Sequence, residues 1–257
     1  MAALFDLRDQ VALITGAAGG LGRAIAEQMA ASGATVVVSD LDQAQCEHMA
    51  QRLRQNGHQA HAIACDVSQP EAIDDLTETA LKRCQRIDIL VCNAGVQGPA
   101  GPLSESSDAD WHRVMDTNLR SALWLCSAVI PGMAARGAGS VILMSSIAGI
   151  RGNKSIGLYG LSKAALAQLA RNLAVEWGPS GVRVNAISPG LIRTPLAEPL
   201  LTNSAFMERR LALTPLRRIG EPHEIAGAAV LLASRAGAFI TGHNLIIDGG
   251  TTISDGN

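Results

Sequence analysis

The sequence predicts an α/β protein built on a doubly wound parallel sheet of about seven strands with helices on both faces. Three observations predict it. Short β-branched runs alternate with longer amphipathic stretches along the chain, the pattern of repeated βαβ units with right-handed crossovers. Hydrophobic residues make up 47% of the 257 residues and charged ones 17%, a balance suited to strands buried on both faces. A glycine-rich run, Thr15-Gly16-Ala17-Ala18-Gly19-Gly20-Leu21-Gly22, directly follows the first apolar run, as a tight strand-to-helix turn requires.

In chain order, strands are expected at Val11–Thr15, Thr35–Ser39, Ala60–Cys65, Ile89–Cys92, Ser140–Met144, Val182–Ile187 and Leu245–Ile247, each short and rich in β-branched or aliphatic residues. Between them, helical periodicity marks Leu21–Ala31, Gln43–Gln55, Pro70–Cys84, Asp110–Ala135, a stretch through Tyr159 to Trp177, and Pro222–Ser234. Ser68-x-x-Glu71 reads as a capping box opening the third helix, and Pro222 suits a first helical turn. No linker, repeat or low-complexity segment divides residues 1–257, so one domain is expected. The irregular stretch from Pro189 to about Thr214 is a candidate substrate lid.

Composition removes several function classes. The formal net charge is -2 and no Lys/Arg run occurs, whereas nucleic acid and anionic membranes call for concentrated positive charge. Cys46, Cys65, Cys84, Cys92 and Cys126 are odd in number and contain no C-x-x-C pair, so neither a disulfide framework nor a zinc site is indicated and a reducing cytoplasm is expected. Charges stand within Met1–Asp9 where a signal peptide carries an apolar stretch, and no run approaches the roughly 18 apolar residues of a membrane span.

The remaining motifs carry chemistry. In Gly16–Gly22 the glycines permit a tight turn and let backbone N–H groups approach a pyrophosphate at a helix N-terminus. Asp40 closes the second strand, where a carboxylate accepts hydrogen bonds from ribose hydroxyls and repels a 2′-phosphate; at ~4 Å and an effective dielectric near 20, each like charge costs on the order of 4 kcal/mol. Leu41 follows it where an NADP site would carry a cation. A turn-forming role for Asp40, with Asp42 serving the ribose, is the competing reading. Tyr159, the single tyrosine, and Lys163, one of three lysines, are spaced i, i+4 and so share a helix face. A tyrosinate base near pH 7–8 needs its pKa lowered by roughly 2–3 units, which a nearby ammonium and an oxidised nicotinamide can supply; a lysine snorkelling beside a packed tyrosine is the bland alternative.

On these residues the chain resembles the short-chain dehydrogenase/reductase family, from Leu7 nearly to the C-terminus. The resemblance implies a Rossmann domain and assigns roles by position. Thr15 through Gly22 match its cofactor turn, Asp66-Val67 its adenine-side pair, and Asn93-Ala94-Gly95 the segment flanking the cofactor. Asn118 is similar to the helix asparagine that anchors a proton-relay water, and Tyr159-x-x-x-Lys163 to the acid/base pair. Ser146, chosen over Ser145 by its distance from the tyrosine, resembles the serine orienting the substrate oxygen. Pro189-Gly190-Leu191-Ile192-Arg193-Thr194 matches the segment whose isoleucine and threonine hold the nicotinamide carboxamide. The resemblance implies an NAD-dependent enzyme without metal, acting on a small alcohol or ketone, commonly a homotetramer packed through the long helices after the fourth and fifth strands. The Ala-rich Ser162–Ala174 face and Trp124 make such packing feasible. Competing functions are a non-catalytic NAD-binding regulator, an isomerase, epimerase or dehydratase on the same scaffold, and a 3-oxoacyl reductase-like enzyme. The last generally carries arginine where this chain has Val175. The lid residues Leu196, Leu200, Leu201, Phe206 and Met207 suggest a moderately apolar substrate, while Arg151, Asn153 and Lys154 read as solvated loop polar groups or as contacts to an anionic one.

Overall fold

A computed structural model describes residues 4–254. Residues 1–3 of the N-terminal segment read above, and 255–257, lie outside the described residues. Strands β1 (Val11–Thr15), β2 (Thr35–Asp40), β3 (Ala60–Ala64), β4 (Ile89–Cys92), β5 (Gly139–Met144), β6 (Val182–Pro189) and β7 (Asn244–Ile247) form one sheet in the order β3-β2-β1-β4-β5-β6-β7. Every pairing is parallel, with β1 registered through Val11↔Thr35 on one side and Ala12↔Ile89 on the other. The order reverses between β1 and β4, so a crevice opens there above the carboxyl ends of the strands.

Strand residues alternate between two cores, as the pleat dictates. Ala12 and Ile14 of β1 join Ile25 and Met29 of α1 (Gly20–Ala31), Met49 and Leu53 of α2 (Gln43–Gln55) and Ile225 and Ala229 of α9 (Pro222–Ala233). Val11 and Leu13 face the other way, onto α3 (Pro70–Cys84), α5 (Ser121–Ala135) and α6 (Gly157–Trp177) through Leu76, Leu125, Ile130 and Leu166.

The structure departs from the sequence reading in three places. The helix expected over Asp110–Ala135 is α4 (Asp108–Met115), a π-helical turn (Asp116–Arg120) and α5. The third helix has no capping box: Gln69 caps it without a side-chain bond, and the Ser68 hydroxyl instead donates to Asp66 Oδ1 at 2.7 Å. Capping boxes occur at Ser107/Asp110 and Glu221/Glu224. The stretch 189–214, expected to be irregular, holds a 3-10 turn (Pro195–Ala197) and two helices, α7 (Glu198–Leu201) and α8 (Ser204–Ala212); Asn203 caps α8 by accepting from Phe206 N at 2.9 Å. No helix among the described residues is long and apolar enough to cross a membrane.

Candidate active site

The glycine turn shows which of its members are there for space. Gly16 has φ +63°, and a Cβ on it would lie 2.8 Å from Asn93 Nδ2 and 3.0 Å from Ala94 Cα. A Cβ on Gly22 would collide with the Gly16 carbonyl oxygen at 2.0 Å, so Gly22 serves close packing of α1 on the turn and does not line the crevice. Above Gly19 nothing lies within 4 Å of the Cβ position, and Gly19 caps α1 with no side chain, leaving the first N–H groups of that helix open to an anion. Asn93 Nδ2 donates to the carbonyls of Thr15 and Gly16, both at 3.0 Å, while Thr15 Oγ1 accepts from Asn93 N and Ala94 N. The loops on either side of the sheet reversal are thereby tied together.

A cavity of about 510 Å³ runs from Asp40, Leu41, Asp66 and Val67, over Gly16, Gly19, Gly20 and Leu21, past Asn93, Ala94 and Gly95, to Tyr159, Lys163 and Thr194. Asp40 Oδ2 accepts from Ala18 N at 3.0 Å and Oδ1 from Leu41 N at 2.8 Å; each oxygen keeps a lone pair for a ligand hydroxyl. An acidic end, a glycine cradle that side chains would fill, and a tyrosine–lysine end fit a nicotinamide dinucleotide laid along the crevice.

A second cavity of about 160 Å³ adjoins the tyrosine and is lined by Ser146, Pro189, Gly190, Ile192 and Thr194 among others. Ser146, Pro189, Gly190 and Ile192 therefore stand on this side, and Thr194 on both. The two serines both line the second cavity but differ in their hydrogen bonds. Ser145 Oγ donates to the Lys163 carbonyl at 2.6 Å, a buried structural bond, whereas Ser146 Oγ accepts from Ala148 N at 3.1 Å and lines the second cavity together with Tyr159.

Burial pushes the Tyr159 phenol up, and the Ser146 side chain opposes it. The phenol of the protein by itself is therefore raised by burial, not lowered as the i, i+4 spacing suggested; Lys163 Nζ donates to the Met144 carbonyl at 2.7 Å, lies 5.4 Å from the Tyr159 ring centroid and keeps two N–H groups for a ligand. Burial lowers the Lys163 pKa to about 8. Asn118, in the π turn, lines neither cavity. Its Nδ2 donates to the Val96 carbonyl at 2.8 Å and Ser162 Oγ at 3.0 Å, and its Oδ1 accepts from Val96 N at 2.7 Å. Both amide hydrogens are spent on protein, so a water held by Asn118 would have to meet an oxygen. A Cβ on Gly95 would come within 3.1 Å of Asn118 Oδ1 and 3.3 Å of Lys163 Nζ, so a side chain there would crowd both groups.

Sequence reasoning missed Cys65, Val96, Thr117 and Pro195 on the first cavity and Gln97, Ile147, Ala148, Ile156, Ala197 and Arg210 on the second; several neighbour a motif that was seen. Of the five apolar residues expected on a lid, Leu196 and Leu200 line these cavities, while Leu201, Phe206 and Met207 do not. Arg151 and Asn153 line the second cavity, and Lys154 is exposed away from it.

Residues 16–252 match a family model described as enoyl-(acyl carrier protein) reductase. The chain is 38% identical to the dehydrogenase/reductase SDR family member 4 of Bos taurus over 251 residues, covering 98% of this chain and 90% of that one. The chain belongs to the short-chain dehydrogenase/reductase family. A tropinone reductase homolog of Arabidopsis thaliana is 36% identical over 251 residues, 97% of this chain and 81% of its own length. Among solved structures, a 7 alpha-hydroxysteroid dehydrogenase complexed with NADH and 7-oxo glycochenodeoxycholic acid superposes with a TM-score of 0.92 at 36% identity, covering 96% of both chains. A gluconate 5-dehydrogenase from Burkholderia cenocepacia in complex with NADP and tartrate gives 0.94 at 33% identity, covering 98% of both. Members of this oxidoreductase family bind a nicotinamide cofactor.

Proposed function

We propose that this family member is an NAD(H)-dependent oxidoreductase that moves a hydride between the nicotinamide and the carbon of a secondary alcohol or ketone. The observation that carries it is the junction of the two cavities: Tyr159 lines both, with Ser146 on the smaller and Lys163 on the longer. Gly16, Gly19, Gly20, Leu21, Asp40, Leu41, Asp66, Val67, Asn93, Ala94, Gly95, Lys163 and Thr194 would hold the dinucleotide, which supplies the hydride acceptor and, when oxidised, a positive charge beside the phenol. Ser146 Oγ orients the substrate oxygen. Tyr159 Oη takes the hydroxyl proton as hydride leaves the same carbon, and returns it in the reverse direction. Lys163 binds ribose and favours the phenolate, and Asn118 holds the π turn beside it.

NAD rather than NADP is the cofactor on this chain's own residues. Asp40 offers negative charge to a 2′-phosphate, and Leu41, 69% exposed, offers no cation. Val175, 81% exposed on α6, presents no positive charge to an acidic carrier protein, which disfavours the 3-oxoacyl reductase-like reading. A non-catalytic regulator has no use for Ser146 and Tyr159 side by side on the second cavity. The segment 189–214 serves as a lid on one catalytic domain, and five free cysteines suit a cytoplasmic protein.

Steady-state kinetics on an alcohol and ketone panel test this reading. The wild-type protein is expected to prefer NAD over NADP by at least ~100-fold in kcat/KM, about 2.7 kcal/mol and a fraction of the repulsion above. Tyr159→Phe should lose about 10²–10⁴-fold in kcat while NADH binding holds. A variant retaining a tenth of wild-type kcat removes Tyr159 from the chemistry, and equal use of both cofactors sinks the role given to Asp40.

A further inference from the structure

The second cavity carries a charge pattern that hydride transfer does not use. Arg151 reaches it from the loop after Ser146, and Arg210 from α8. Both residues are half-buried, and among the described residues neither guanidinium forms an ion pair, whereas nearby Arg193 and Arg218 are closed on Glu221 and Glu224 at 3.0 and 2.6 Å. No Asp or Glu lines the cavity among the described residues. Arg210 stacks on the Phe206 ring at 5.4 Å, which steadies the guanidinium plane without consuming its N–H donors. The remaining wall includes Ile147, Ile156, Leu191, Ile192, Leu196 and Leu200. The other lining residues, Gln97, Asn153, Thr194 and the Ser145–Ser146–Tyr159 group among them, are neutral, so the two cations lack a counter-charge, and a neutral alcohol would supply none.

We propose that Arg151 and Arg210 together receive a carboxylate, so that the substrate is a short hydroxy acid or oxo acid; this rests on the oxidoreductase reading above. Guanidinium matches carboxylate in planar, bidentate geometry. The apolar residues of the same wall take the carbon chain. A volume of about 160 Å³ is close to that of an apolar cavity of about 150 Å³ that holds benzene, so a body of about four to eight carbons fits. Arginine stays charged throughout the assay range, and the preference for the acid is therefore flat between about pH 6 and 9.

The experiment compares kcat/KM for short hydroxy acids with that for their uncharged methyl esters, in the wild type, in Arg151→Gln with Arg210→Gln, and in Lys154→Gln as a control from the same loop. In parallel, calorimetry on the NADH-loaded protein measures binding of the non-reacting acids butyrate and benzoate. Expected are at least a tenfold preference for acid over ester in the wild type, its collapse by at least tenfold in the double variant, its retention in Lys154→Gln, and weaker butyrate binding in the double variant. Esters used as well as acids, or an acid preference unmoved in the double variant, overturn the proposal. Arginine-dependent butyrate binding without turnover of any alcohol sustains the anion site and overturns the oxidoreductase reading. Absence of both turnover and acid binding overturns the anion site.

Discussion

Lys163 is a cation held where charge is disfavoured. Its pKa of about 8 stands below the ordinary lysine value of 10.5, through burial, so the unfolded chain holds more proton than the folded one between those two values. Folding is therefore penalised fully below about pH 8, and the penalty fades as pH rises toward 10.5. The gap corresponds to roughly 3 kcal/mol, from which the lost hydrogen bond to the Met144 carbonyl subtracts about 1 kcal/mol when the ammonium is removed. Lys163→Met is accordingly expected to raise the Tm of the cofactor-free protein by about 5 °C at pH 7, and by progressively less toward pH 10. Thermal melts at both pH values check this, and a variant no more stable at pH 7 would show that the ammonium is better solvated than its burial suggests. A residue that costs stability where it stands belongs to function, and the sequence already showed that much in the i, i+4 pairing. It did not show that Lys163 is held by Met144 or that the isolated phenol is pushed up. Those follow from burial, which one chain read alone does not display.

The elements that the sequence resolved best are the strands: all seven stand within two residues of their expected ends, because short runs rich in aliphatic and β-branched residues suit a sheet buried on both faces. The π turn at Asp116–Arg120 escaped, since one extra residue per turn leaves the apolar spacing of the flanking helices intact and carries no composition signal. Helices α7 and α8 escaped because Pro195, Pro199 and Asn203 read as loop punctuation; Asn203, three residues before the N–H it caps, was the available clue. The π turn is what turns Asn118 toward Val96 and Ser162, and Gly95 is the space that lets it stay there. Gly95→Ala places a methyl 3.1 Å from Asn118 Oδ1 and 3.3 Å from Lys163 Nζ, so both must yield by a few tenths of an ångström. The expected result is a fall of roughly tenfold in kcat with the far-UV spectrum unchanged. Wild-type turnover in that variant would mean that the Asn118–Lys163 spacing is not tuned.

At the scale of the whole molecule, the sheet reversal between β1 and β4 explains why residues as distant as Asp40 and Thr194 share one crevice: it is the place where parallel strands leave their carboxyl ends unroofed. That logic was readable from strand and helix alternation alone. The outer surface was less so, because an exposed apolar side chain and a buried one look alike in a sequence. Leu123 on α5 and Val175 on α6 are exposed, and Trp124 carries the Arg120 guanidinium at 4.9 Å from its ring centroid. These helices cover the same face of the sheet, and a single copy would leave their apolar side chains in water. A homotetramer packing α5 and α6 against their symmetry mates would cover them, since an isologous contact brings the same patch from both partners. Light scattering is expected to give four times the 26.7 kDa of the chain. Leu123→Glu combined with Val175→Glu places repelling charges on both sides of such a contact. That variant should dissociate to smaller species and melt at least about 5 °C lower, from the loss of partner binding. A wild-type protein that scatters as a monomer would overturn the tetramer, and a double variant with unchanged mass would move the interface away from these helices; either outcome leaves each crevice complete within its own chain.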